Sequence, residues 1–266
     1  MSLVRMPERP VRAVRGCEVN IGVVGAGGVG KTTVAALLAR AWSRRGARVV
    51  AIDADCNPNL GISLGVPGEQ AAALPLLPRA VQAGGAGDAP PPAATLLAEY
   101  ACPTPGGVLL LTAMRIDVAG AGGTCANHST VRRLLSEDVG ADATIVDMQA
   151  GLEHLSRAGG TLAPVDVLLV VMEPSRKSVV TAARTHPLAQ ALGIHLVYGL
   201  GNKLRIPGDG ELLDAGAPDL PMAGMLPYEA EIAAAERDGS PIPEVPAIAE
   251  RVERVIDRLQ WVTARR

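Results

Sequence analysis

The sequence predicts an α/β fold: a single doubly wound, mostly parallel sheet with helices on both faces. Three observations carry this expectation. Apolar runs of strand length alternate with helical stretches along the chain, and many of these runs are bounded by Gly or Asp. Apolar residues make up 48% of the 266 positions, yet Phe is absent and there are only three Tyr and two Trp. A core of Ala, Val and Leu suits strands buried on both faces.

The opening is a βαβ unit, with a strand over 19–24, a helix over 30–45 and a second strand over 48–53. Residues 66–107 interrupt the alternation. Pro75, Pro78, Gly84, Gly85, Gly87 and the run Pro90-Pro91-Pro92 forbid a continuous helix or central strand, which predicts a partly disordered surface insertion. The alternation resumes with a strand over 108–112, a helix over 127–136 and a strand over 144–147. Strands over 165–171 and 194–199 flank a helix over 176–192. A short strand over 222–226 precedes helices over 229–237 and 248–262. Such a sheet places its ligand at the carboxyl edge of the strands.

Residues 1–17 hold Arg5, Arg9, Arg12 and Arg15 beside Pro7 and Pro10 and read as a disordered basic tail, which leaves 18–266 as one domain. The tail lacks the apolar stretch of a secretory signal, and no run approaches the roughly 18 apolar residues of a membrane span. Four scattered cysteines, Cys17, Cys56, Cys102 and Cys125, contain no CxxC pair and point to a reducing, cytoplasmic setting. With 25 basic and 27 acidic residues the net charge is −2, which argues against a nucleic-acid binder that relies on its overall field. Only Lys31, Lys177 and Lys203 are lysines.

Directly after the first strand comes Gly25-Ala26-Gly27-Gly28-Val29-Gly30-Lys31-Thr32-Thr33, a GxxxxGK[ST] phosphate loop in its strand-to-helix setting. Glycines Gly25, Gly27, Gly28 and Gly30, with Val29, let backbone N–H groups converge on phosphate oxygens. The helix start at Lys31, Thr32 and Thr33 adds its positive end. Lys31 would reach the β and γ phosphates of ATP and the Thr32 hydroxyl would ligate Mg²⁺. Two strands end in acids beside this loop. Asp147 is expected to serve Mg²⁺, Asp55 to position the attacking water, and Asp53 to support the metal shell, although Asp at a strand end also serves as a cap. Asn202 and Lys203 follow another strand, where an amide could read a purine edge. Arg205 stands where the guanine motif NKxD has its Asp, so adenine is favoured, with Pro227 and Tyr228 closing the other side of the base.

The stretches GAGGVGKTT, Asp53-Ala54-Asp55-Cys56-Asn57-Pro58-Asn59-Leu60 and Asp147-Met148-Gln149-Ala150-Gly151-Leu152-Glu153-His154-Leu155 resemble the deviant-Walker ATPases related to the septum-site and partition ATPases. Within that class they are most similar to the maturation ATPases of nickel carbon monoxide dehydrogenase. The resemblance runs over about 19–258 and includes Glu173-Pro174-Ser175-Arg176 and Leu226-Pro227-Tyr228. It implies an ATPase that dimerises around its nucleotide and delivers nickel to a client metalloenzyme.

Two residues depart from the family pattern. The class carries a signature lysine after the loop's first glycine, where this chain has Ala26, which implies slow hydrolysis. The family's Cys-x-Cys, which meets its partner's pair at the dimer interface, falls on Gly123-Thr124-Cys125, so one cysteine is left. Cys125 with His128, three residues on, could chelate Zn²⁺ or Ni²⁺ across two chains, or could be structural. Two other readings stay open: an ATP-binding regulatory partner with degenerate hydrolysis, and a positioning ATPase on membrane or DNA. The second rests on the apolar stripe Ile248, Val252, Val255, Ile256 and Leu259 beside Arg251, Arg254 and Arg258, for which packing on the sheet is the commoner explanation. Neither nucleic acid nor membrane is the expected partner.

Overall fold

The computed structural model describes residues 18–78, 91–116, 125–152, 155 and 160–264. The basic tail lies outside them. Eight strands form one sheet in the order β3-β4-β2-β5-β1-β6-β7-β8. They are β1 (Val19–Gly25), β2 (Val49–Ala54), β3 (Cys102–Pro103), β4 (Leu109–Thr112), β5 (Ala143–Met148), β6 (Val167–Met172), β7 (Leu196–Leu204) and β8 (Met222–Pro227). Every pairing is parallel except that of β3 with β4, which makes the edge antiparallel.

Period-two burial on both faces explains why the strands read as largely apolar runs. In β6, Val167, Leu169 and Val171 enter the core on one face, while Leu168, Val170 and Met172 enter the core on the other. The first face is covered by α1 (Lys31–Arg44) and α9 (Pro246–Thr263). The second is covered by α4 (Ala93–Tyr100), α5 (Cys125–Ser136), α6 (Arg176–Ala191) and α7 (Gly208–Gly216). Short helices α2 (Leu60–Ser63) and α3 (Gly68–Ala72) follow β2, and α8 (Ala230–Asp238) follows β8. Helices on both faces make the sheet doubly wound, as expected.

One expectation changes and one favoured reading is borne out. The segment over 66–107 is more than a surface insertion: α4 sends Leu96 and Ala93 into the core, and Cys102–Pro103 adds the antiparallel edge strand. Prolines interrupt this segment, but the apolar residues between them still have a sheet face to cover. The stripe on α9 faces inward. Ile248, Val252, Val255, Ile256 and Leu259 are all buried against α1 and β8, so this face is not available to a membrane. Arg45, at the end of α1, fixes the helix there by donating to Glu253 at 2.6 Å, Asp257 at 2.8 Å and Gln260 at 3.0 Å. Among the described residues no helix is long and apolar enough to cross a membrane.

Candidate functional site

The glycine loop leaves the carboxyl end of β1 at the centre of the sheet, between β5 and β6. Gly25 is required there by contact: a Cβ would lie 2.4 Å from the Val171 carbonyl oxygen of β6. Gly28 and Gly30 take φ of +80° and +89°, which glycine adopts without strain. Gly30 is also confined, since a Cβ would meet Asn202 Nδ2 at 2.4 Å. Lys31 opens α1 and is buried, with Nζ donating to the Ala26 carbonyl at 3.1 Å. Burial lowers its pKa, opposed by the nearby carboxylates of Asp147 and Asp55.

Asp53 and Asp147 are register partners on adjacent strands β2 and β5, and both are almost wholly buried. Their surroundings differ. Asp53 Oδ2 accepts from the Leu60 N–H at 2.8 Å and Oδ1 from the Asp55 N–H at 3.2 Å. Its carboxylate therefore caps the turn into α2, where the expectation placed it in a metal shell. Both oxygens are already engaged by backbone. Burial pushes its pKa up to about 6, against those same N–H groups, which lower it. Asp55 is half-buried and accepts from the Asn57 N–H at 2.9 Å.

Asp147 is the opposite case. Neither carboxylate oxygen has a hydrogen-bond partner, although both are inaccessible to solvent. Burial raises its pKa well above the ordinary carboxylate value and the neighbouring Asp53 adds to this, while the Thr32 hydroxyl and Lys31 ammonium pull the other way. A buried carboxylate with unused lone pairs beside a hydroxyl and an ammonium is a costly arrangement unless a cation completes it. Mg²⁺ takes one or two protein oxygens together with phosphate and water oxygens, and Asp147 with Thr32 fits that donor set.

Asn202 and Lys203 lie at the carboxyl end of β7, but they face the loop. Asn202 Nδ2 donates to the Val29 carbonyl at 2.9 Å and Lys203 Nζ to the Gly28 carbonyl at 2.6 Å. One amide N–H expected to meet a purine is thus already used by the loop. Pro227 and Tyr228 stand on the neighbouring strand end. The Tyr228 N–H donates to Leu204 O at 2.7 Å, and its ring carries the Arg205 guanidinium 3.6 Å from its centroid. The sequence reading missed this stack, since nothing in linear spacing relates 205 to 228. It also missed Asp209, whose Oδ2 accepts from the N–H groups of Arg205 at 2.6 Å and Ile206 at 3.1 Å and so holds the turn that leads into α7. Glu173, Pro174, Lys203, Arg205, Ile206 and Asp209 line a cavity of about 350 Å³ next to the loop. Thr33 donates to Glu236 of α8, linking the loop helix to the segment after Tyr228.

His128 is buried on α5, whereas the side chain of Cys125 lies outside the described residues, as do Glu153 and His154. Among the described residues no group of three or more His, Cys, Asp or Glu side chains converges as a metal site.

A glycine loop between strand and helix at the centre of a mostly parallel sheet, with a buried acid on the adjacent strand, defines a P-loop NTPase fold. Within that class, the chain belongs to the CobQ/CobB/MinD/ParA nucleotide-binding domain family, whose model matches residues 23–242. It is 37% identical over 236 residues to the carbon monoxide dehydrogenase accessory protein CooC of Rhodospirillum rubrum, a match covering 83% of this chain and 88% of that one. Among solved structures it is similar to the MinD cell division protein of Aquifex aeolicus, with a TM-score of 0.64 at 21% identity over 92% of this chain and 97% of that one. The septum site-determining protein MinD of Pyrococcus horikoshii, solved with Mg-ADP, also has a TM-score of 0.64, at 20% identity over 93% of this chain and 99% of that one.

Proposed function

We propose that this chain is an ATPase that binds Mg-ATP on the loop Gly25 to Thr33 and acts as a nucleotide-driven switch in the maturation of a metal-containing oxidoreductase of the carbon monoxide dehydrogenase kind. The observation that carries the nucleotide chemistry is the unpartnered, buried carboxylate of Asp147 beside Thr32 and Lys31. The similarity to CooC supports the maturation role.

In this reading the loop's N–H groups, with the start of α1, hold the phosphates, and Lys31 exchanges its bond to Ala26 O for phosphate oxygens. Asp147 and Thr32 would hold Mg²⁺, which when bound would supply positive charge against the phosphates. Asp55 orients water. Asp53 acts from behind by fixing the turn that carries Asp55. Adenine is placed beside the Arg205–Tyr228 stack with Pro227 and Asn202.

Hydrolysis is slow because Ala26 replaces the signature lysine of the resembled class. ADP, a homodimer formed around nucleotide, a client metalloenzyme and a cytoplasmic setting complete the proposal. Cys125 and His128 are proposed as a weak Zn²⁺ or Ni²⁺ site that needs two chains.

Calorimetry with Mg-ATP tests the core of this reading. Wild type should bind ATP more tightly than GTP, Lys31→Ala should lose most affinity, and Asp147→Asn should lose the dependence on Mg²⁺. Equal binding by the Lys31→Ala protein would sink it. Recovery of a client metalloenzyme from the native host with the tagged chain, in an ATP-dependent manner, tests the maturation role. A second reading, ATP binding as a conformational signal with negligible turnover, is favoured by Ala26 and is distinguished by tight binding without phosphate release.

A further inference from the structure

Lys203 is the only non-glycine among the described residues with a positive φ, at +62°. That region of the backbone disfavours L side chains, and Lys has no short polar group with which to offset it locally. The residue also sits inside an irregularity. The register between β7 and β8 shifts between Gly201 and Leu204, so Asn202 and Lys203 fall where the ladder slips. Such slips turn side chains away from the direction the pleat would give them. Here the result is that consecutive residues land on consecutive carbonyls of the glycine loop: Asn202 on Val29 and Lys203 on Gly28.

The direction of those bonds matters more than their number. In a trans peptide the carbonyl of one residue and the N–H of the next point opposite ways. Holding the Gly28 carbonyl toward Lys203 turns the Val29 N–H away from it, and holding the Val29 carbonyl toward Asn202 does the same to the Gly30 N–H. Neither N–H finds an acceptor among the described residues. Two successive N–H groups aimed to the same side, with a glycine of positive φ before them and Gly30 itself at positive φ, form a concavity that attracts anions.

We propose that Lys203 is a positioning residue for phosphate. Its ammonium pins the Gly28 carbonyl outward, keeps the loop's N–H groups turned inward, and maintains a strained backbone for that purpose; it does not read the base. This deepens the nucleotide reading above and rests on it. The peptide from Gly28 to Val29 is free to flip once the ammonium is removed, because glycine permits the alternative conformations. The anion then meets a carbonyl where an N–H had been.

The test uses the full chain with Lys203→Gly, Lys203→Met and Lys203→Arg. Mg-ATP and inorganic tripolyphosphate are titrated by calorimetry, and thermal melts are recorded alongside. Glycine adopts this φ without strain, so Lys203→Gly should melt at or above the wild-type temperature. Its affinity for ATP and for tripolyphosphate should fall by the same factor, about tenfold to a hundredfold, the range for losing a hydrogen bond from a charged donor. Lys203→Met should lose affinity likewise, and Lys203→Arg, which keeps a donor, should recover most of it. Wild-type affinity in both the Gly and Met proteins overturns the proposal. So does a loss for ATP with tripolyphosphate unchanged, which would place Lys203 at the base. If wild type binds neither ligand, the nucleotide reading itself fails before any variant is compared, and this proposal falls with it.

Discussion

Adding one methyl group at Gly30 tests whether the loop and the end of β7 form a single mechanical unit. Gly30→Ala introduces two faults. The φ of +89° is strained for any L residue, at about 1–2 kcal/mol. The new Cβ would also stand 2.4 Å from Asn202 Nδ2 and 3.7 Å from Lys203 Cε, so the amide must leave. Displacing it breaks a buried bond to Val29 O and leaves that carbonyl unpaired, at about 1–3 kcal/mol. Together the single substitution should cost about 2–5 kcal/mol, a large part of a typical domain's total stability. The two contributions separate in a double-mutant cycle. Asn202→Ala alone loses the bond, and with the amide gone Gly30→Ala should add only the strain, about 1–2 kcal/mol. Urea unfolding of wild type, both single variants and the double variant gives the coupling directly. Equal costs for Gly30→Ala in both backgrounds would refute the contact between Gly30 and Asn202, and a cost under about 0.5 kcal/mol would refute the strain as well.

Three further outcomes are expected. Asp53, with its pKa raised to about 6, holds its proton more tightly folded than unfolded, so the stability it contributes is complete below about pH 4 and declines as pH rises toward 6. Relative to Asp53→Asn, wild type in metal-free buffer should lose stability across that window by urea unfolding, and a relative gain would reverse the assignment. Ala26→Lys should raise the ATP hydrolysis rate by roughly a hundredfold to a thousandfold, and an unchanged rate would show that another cation already serves the transition state. Leu96→Ala, at a fully buried position of α4, should cost about 2–5 kcal/mol, whereas a change near zero would return that segment to the surface.

Much of this protein was legible from local chemistry. The phosphate loop needs residues that are contiguous, so GAGGVGKTT announces itself in the chain, and strands buried on both faces must be largely apolar, so β6 stands out as an uninterrupted run and β1, β2 and β5 as apolar runs with few polar residues. Neither property depends on what is far away in sequence. The roles of the acids were different. Asp53 and Asp147 look alike as strand-end aspartates, and the distinction between a cap and an unpartnered carboxylate arose only when β2 and β5 were set side by side and α2 turned its N–H groups onto one of them.

The same holds for Asn202 and Lys203, which read as a base site until the slip between β7 and β8 turned them onto a loop 173 residues earlier in the chain. Likewise the stripe on α9 left a membrane reading open beside the favoured packing on the sheet, and the core it joined closed that reading. Residue type and periodicity settle which surfaces must be buried and where a loop can cradle phosphate. Which polar atoms remain unpaired depends on the directions in which distant elements point their donors, and those directions exist only in the folded chain.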